Sequence, residues 1–267
     1  MLFILPCATY LCCFAYLLIQ SVLNKDLVFG IRPVIETIRA GKEIDKLLVQ
    51  RDIGVAGNLA ELLQAAQEHN VPVSRVPKER LDRVTRKNHQ GVVAFVSAVN
   101  YAKLHNIISD VYERGQTPLI LILDRVTDVR NFGAIARTAE CAGVHALVIP
   151  TKGAAQINAD AVKTSSGALN FIPVCRQENL TRTVTFLQES GLQVVACTEK
   201  AENPVYQANL TTPTAIIMGS EEDGISNELI RKADAIVKIP QIGQISSLNV
   251  SVAAGVMIYE VIRQRLS

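Results

Sequence analysis

Apolar residues recur along this chain in two rhythms. In the second half they come as short unbroken runs, Leu119-Ile120-Leu121-Ile122-Leu123 being the clearest, with no 3.6-residue period. That is the pattern of a strand covered on both faces. Such runs at 119–123, 146–149, 171–174, 194–197, 215–218 and 236–239 alternate with helix-patterned stretches at 134–142, 159–165, 180–189 and 250–265. Repeated strand–helix units predict an α/β domain built on a parallel sheet. Upstream, residues 31–40 and 59–68 read as helices and 46–49 and 91–96 as strands, the alternation of a smaller α/β sandwich. Between the two halves, 102–117 is polar and ends before Pro118, which predicts a linker with room for a helical turn.

Three strand-to-helix junctions of the second half hold the candidate chemistry. After the run at 119–123 comes a polar loop with Asn131 and Gly133, then a helix bearing Arg137 and ending at Gly143. Six positions on one helix turn two side chains about 240° apart, so Asn131 and Arg137 share a cavity only if Asn131 precedes the helix. After 215–218 comes Gly219-Ser220-Glu221-Glu222-Asp223-Gly224, an acidic loop bracketed by glycines. Three successive acids repel phosphate and no lysine follows, which excludes a phosphate-binding loop and leaves a site for a neutral or cationic small molecule or an ordinary acidic turn. The third junction runs from Ile239-Pro240 through Gly243 to Ser247-Leu248-Asn249-Val250-Ser251, where Ser247 and Asn249 stand at the start of an apolar helix. Bare, that run is also an ordinary helix cap.

Charge separates the halves. Residues 25–109 hold 13 Lys/Arg against 9 Asp/Glu, whereas 110–267 hold 14 against 16, although the chain as a whole is only +2. Within the basic half, Arg75, Lys78, Arg80, Arg83, Arg86 and Lys87 face only Glu79 and Asp82, an excess suited to a phosphate backbone or simply to a solvated helix face. RNA docking is therefore expected in the first domain and chemistry in the second. The six cysteines, at 7, 12, 13, 141, 175 and 197, form no C-x-x-C pair and have no histidine at zinc-ligand spacing, so no metal site is expected. From Met1 to Asn24 there is no charge, and 2–23 is long enough to cross a bilayer while lacking the basic start and small-residue cleavage site of a secretory signal. A misassigned start codon is the expectation for 1–24, and a membrane anchor is the alternative.

In this order and spacing the three junctions resemble the three motifs of the SpoU (TrmH) family of RNA ribose 2'-O-methyltransferases: Asn131, Gly133 and Arg137; Gly219-Ser220-Glu221 with Gly224; and Ile239-Pro240, Gly243 and Ser247 to Ser251. Leu27 to Val34 and Asn88 to Ala94 also look like the start and end of the small RNA-binding domain of bacterial members that methylate a guanosine of large-subunit ribosomal RNA. Glu222 departs from the pattern, standing where the family often has glycine.

The resemblance implies an RNA substrate-binding domain at 27–101 and, after the linker at 102–117, a SPOUT-like methyltransferase domain at 118–267 whose carboxy-terminal segment forms a trefoil knot. Elementary physics alone disfavours a knot. It also implies S-adenosylmethionine as methyl donor, a homodimer, 23S ribosomal RNA as partner and a cytoplasmic location. Gly219, Ile239 and Leu248 would hold the donor, and Asn131, Arg137, Glu221, Ser247 and Asn249 would surround the reacting atoms. Because a guanidinium is not deprotonated in proteins, Arg137 is expected to stabilise the developing alkoxide while water, a phosphate oxygen or Glu221 takes the proton. Transfer RNA as substrate, or a non-catalytic RNA-binding assembly factor, are the alternatives.

Overall fold

The computed structural model describes residues 27–267 apart from Ala56 and Ser246; the leader expected at 1–24 lies outside the described residues. The chain divides into two compact units, the boundary falling between Ala98 and Val99.

The first unit runs β1 (Leu27–Phe29), α1 (Ile31–Arg39), β2 (Ile44–Gln50), α2 (Asn58–Glu68), β3 (Val73–Val76), α3 (Lys78–Val84) and β4 (Val92–Val96). Its sheet has the order β1-β4-β2-β3, with β4 antiparallel to both neighbours and β2 parallel to β3. Alternation along β2 separates two cores: Leu47 and Val49 pack with Val34, Ile38, Leu59 and Leu62 of α1 and α2, whereas Leu48 turns to a small cluster with Val76, Leu81 and Val93. The pattern gave no sign of β1, β3 or α3 because each is short and α3 buries one side chain, Leu81.

The second unit contains α4 (Leu104–Glu113), β5 (Leu119–Leu123), α5 (Val129–Cys141), β6 (Ala146–Pro150), α6 (Ala159–Thr164), β7 (Val174–Gln177), α7 (Leu180–Glu189), β8 (Gln193–Cys197), β9 (Thr214–Met218), α8 (Asn227–Lys232), β10 (Ala235–Val237) and α9 (Val250–Leu266). Six strands form a wholly parallel sheet in the order β10-β8-β9-β5-β6-β7. Both faces are covered, which is why every residue of β5 is buried. Leu119, Leu121 and Leu123 meet Phe132, Ile135, Met257 and Ile258 from α5 and α9; Ile120 and Ile122 meet Leu104, Ile108, Val184 and Leu229 from α4, α7 and α8. Among the described residues no helix is long and apolar enough to cross a membrane.

Three expectations are corrected here. The polar stretch 102–117 is no linker: Leu104, Ile108 and Val111, at helical spacing, are the buried stripe of α4. The strand expected at 171–174 begins only at Val174, since a 3₁₀ turn over Ala168–Asn170 leaves Phe171 exposed and Pro173 cannot donate to a ladder. Helix α5 starts at Val129 rather than 134 because Asp128 caps it, its carboxylate accepting the Asn131 backbone N–H at 2.8 Å.

Candidate active site

Strand order reverses between β5 and β9, and the crevice outside the carboxyl ends of a parallel sheet at such a point is where ligands bind. The chain leaving β9 there is the loop from Gly219 to Gly224. It closes on itself: Ser220 N–H donates to Gly224 O at 3.2 Å and Gly224 N–H to Ser220 O at 3.0 Å. A side chain at 219 would overlap the backbone of Gly224 and Ile225, so only glycine fits this fold-back. The Ser220 hydroxyl accepts the Asp223 N–H at 3.1 Å.

Glu221, at the tip of this loop, meets both other motifs. Its Oε1 accepts from Asn131 Nδ2 at 3.1 Å, from Asn249 Nδ2 at 2.6 Å and from the Val250 backbone N–H at 3.3 Å. Asn249 Nδ2 donates as well to Asn131 Oδ1 at 3.0 Å. The other amide atom of Asn249, Oδ1, accepts the Ser251 N–H at 2.9 Å and so caps α9. Capping and site-building thus use opposite ends of one side chain. A carboxylate facing the first turn of a 17-residue helix is also in the electrostatically favoured place.

Two cavities adjoin this cluster. The first, about 490 Å³, lies past the ends of β8, β9 and β10 and is lined by Gly219, Ile239, Ser247 and Leu248, by Met218, and by Cys197 to Lys200. The second, about 480 Å³, is lined by Arg125, Thr127, Asp128 and Asn131. Ser220 to Asp223 line both, so the acidic loop is the partition between them. The first cavity is of ligand size. It combines apolar walls at Met218, Ile239 and Leu248, a glycine at the closest approach, and more carboxylates than cations, a donor set that fits a nucleoside carrying positive charge.

The structure therefore brings Asn131, Glu221 and Asn249 into direct contact, and Gly219, Ile239, Ser247 and Leu248 onto one cavity wall. It does not bring Arg137 there. Asn131 lies inside α5, not in the loop before it, so the six-residue spacing turns Arg137 away to an exposed position on the outer surface, outside both cavity linings. Gly133 serves packing: a Cβ there would sit 2.7 Å from Thr164 Cβ, so this glycine lets α5 and α6 approach. The segment Cys197 to Lys200 escaped the sequence reading, although its polar residues follow directly on a strand. Burial first, and then the charge of Glu199, push the Cys197 thiol up to about 12, which leaves it an inert wall rather than a nucleophile. Asp124 and Arg125 were missed as well.

In the first unit, Arg75, Lys78, Arg80, Arg83, Arg86 and Lys87 are all exposed on β3, α3 and the turn beyond. Lys87 sits over the Phe29 ring, 5.6 Å from its centroid, and Arg75 donates to Gln50 O at 3.3 Å.

Two family models match the chain: SpoU rRNA Methylase family over residues 118–259, and RNA 2'-O ribose methyltransferase substrate binding over residues 27–102. The chain belongs to the SpoU rRNA methylase family. That makes it an S-adenosylmethionine-dependent RNA ribose 2'-O-methyltransferase. Among its relatives, the putative TrmH family tRNA/rRNA methyltransferase YacO of Bacillus subtilis is 36% identical over 242 residues, covering 91% of this chain and 97% of that protein. The 23S rRNA (guanosine-2'-O-)-methyltransferase RlmB of Vibrio parahaemolyticus is 40% identical over 210 residues, 78% of this chain and 85% of that one. Of solved structures, the SpoU methyltransferase AviRb of Streptomyces viridochromogenes in complex with AdoMet superposes with a TM-score of 0.57 at 27% identity, covering 90% of each chain. In this SpoU methylase the three motifs all lie in the parallel-sheet unit.

Proposed function

We propose that this SpoU methylase transfers a methyl group to the ribose 2'-hydroxyl of a guanosine in 23S ribosomal RNA, acting in the cytoplasm as a homodimer. The observation that carries the reading is the Glu221–Asn131–Asn249 cluster on the partition between two ligand-sized cavities. Relatives named for methylating a guanosine of 23S rRNA at 35–40% identity support the substrate, as does the basic face on the substrate-binding domain.

S-adenosylmethionine, when bound, supplies an electrophilic methyl group on a positively charged sulfur. The chain's own residues do the rest. Gly219 allows backbone approach, and Ile239, Met218 and Leu248 exclude water from the first cavity. Asn131 orients the ribose in the second, held in place by the Asn249 amide behind it, and Ser247 adds a hydroxyl to the wall of the first. Glu221 lies within reach of both cavities and takes the proton of the attacking hydroxyl. Arg137, on the outer face of α5, contributes through the dimer rather than within its own protomer. Exposed Val252 and Tyr259 of the neighbouring α9 supply apolar surface for the partner copy to cover. A trefoil knot at the carboxy-terminal end is part of the same reading, and in it the 219–224 loop would meet the start of α9, the contact that Glu221 makes here.

The test is a map of 2'-O-methyl positions in ribosomal and transfer RNA with and without the gene. One guanosine of 23S rRNA should lose its methyl. Loss confined to transfer RNA would move the substrate, in keeping with the double name of the YacO relative. No loss anywhere would leave a non-catalytic RNA-binding factor.

A further inference from the structure

Two residues after β5 comes Arg125, a long-chain cation at φ +58°, a backbone conformation in which glycine or asparagine is the undemanding choice. What holds it there is a set of contacts across the crevice. Its guanidinium donates to Asp223 Oδ2 at 3.1 Å and to Gly224 O at 3.1 Å, while Nε and Nη2 reach back to the carboxylate of Asp124 at 3.2 and 3.4 Å. Asp124 is buried, and its Oδ2 accepts the Ser226 N–H at 2.7 Å. The residues after β5 thus hold the far side of the acidic loop at Asp223 and Gly224, and the chain just beyond it at Ser226. The near side is set by Gly219 and the tip by the asparagine pair.

We infer that Arg125 is a positioning residue: a latch that ties the Gly219–Gly224 loop to strand β5 and so fixes Glu221 between the two cavities. It acts through the loop and needs no contact with donor or ribose. The inference rests on the placing of the donor in the first cavity, and its test separates the two.

Arg125→Gly removes the guanidinium and at the same time relieves the backbone, which offsets part of what buried Asp124 loses with its partner, so the fold should survive with a melting temperature only a few degrees lower; Arg125→Asn does the same with a side chain that tolerates positive φ. Hydrogen exchange on the ligand-free protein reads the latch directly: amides of residues 220–226 should exchange at least about tenfold faster in both variants, with the sheet amides unaffected. Donor affinity should then fall about five- to tenfold, turnover at saturating donor should fall by a similar factor, and Arg125→Lys should recover part of both. Unchanged exchange in the loop overturns the latch, including the case in which only the KM for RNA rises and Arg125 proves a phosphate contact. Loss of donor affinity only in variants that melt well below that overturns it too. Faster loop exchange with lower turnover but unchanged donor affinity upholds the latch and removes the donor from the first cavity, whereas faster exchange with both unchanged overturns the positioning role.

Discussion

The two units use polar residues in opposite ways. In the first, six cations spread over β3, α3 and the following turn are all exposed, and their common property is sign. In the second, Asn131, Glu221 and Asn249, separated by 90 and 28 residues along the chain, meet within 3.1 Å of one another. A backbone of phosphates is attracted by a field and asks for no fixed geometry, whereas a reacting hydroxyl asks for atoms at set distances. The parallel sheet supplies that convergence because its strand ends share one edge, while a mixed sheet with a charged flank supplies surface.

An isosteric change should therefore be severe in the second unit, and a charge-conserving one harmless in the first. Glu221→Gln keeps size and removes charge; turnover should drop about 10²–10⁴-fold with donor affinity within a few-fold of wild type, measured by single-turnover kinetics and calorimetry. Gly219→Ala should reduce methyl transfer by about 10²-fold, this time together with donor affinity, because the added Cβ has to displace the Gly224–Ile225 backbone. In the first unit, Arg83→Lys should leave RNA affinity within about twofold. Arg83→Glu should weaken it across all sequences and lower the slope of log affinity against log salt by about 1 or more, with turnover at saturating RNA unchanged. A strong effect of the Lys variant would show that the basic flank also works by geometry.

Smaller effects sharpen the same picture by touching neither region's chemistry. Gly133→Ala should cost about 1–3 kcal/mol of stability through the clash of α5 with Thr164 and leave donor affinity alone. Glu260 is buried on α9, and hydrogen bonds from Arg263 hold its carboxyl below the ordinary carboxylate value, Gln264 adding to the effect. Its contribution to stability is therefore complete above the ordinary carboxylate value of the unfolded chain and is lost as pH falls through the lower folded one. Glu260→Gln should flatten the acid limb of a melting-temperature profile without altering methyl transfer.

How far the sequence discloses this depends on what kind of pattern carries each part. The unbroken apolar runs of β5 and β9 announce a doubly covered parallel sheet directly, and the three motifs lie at strand-to-helix junctions as expected. Helix α4 hides in a polar stretch since one stripe, Leu104, Ile108 and Val111, is all it buries. The one-helix placement of Asn131 is hidden because a cap at Asp128 extends α5 by a turn that periodicity does not require, and that turn is what removes Arg137 from the cluster. The latch at Arg125 is invisible in one dimension, since its partners lie 98 and 99 residues away and nothing in an arginine's neighbours signals a positive φ. The basic flank was legible as composition but not as structure, because charge counts carry no distances.

The central claim is that the Glu221 cluster is where a ribose hydroxyl meets the methyl donor. The most direct measurement is single-turnover transfer of labelled methyl from S-adenosylmethionine to 23S rRNA transcripts, with the modified position mapped, for wild type and Glu221→Gln. The wild type should yield one guanosine 2'-O-methyl, and the variant should react about 10²–10⁴-fold more slowly at equal donor occupancy. Equal rates from the two proteins would contradict it.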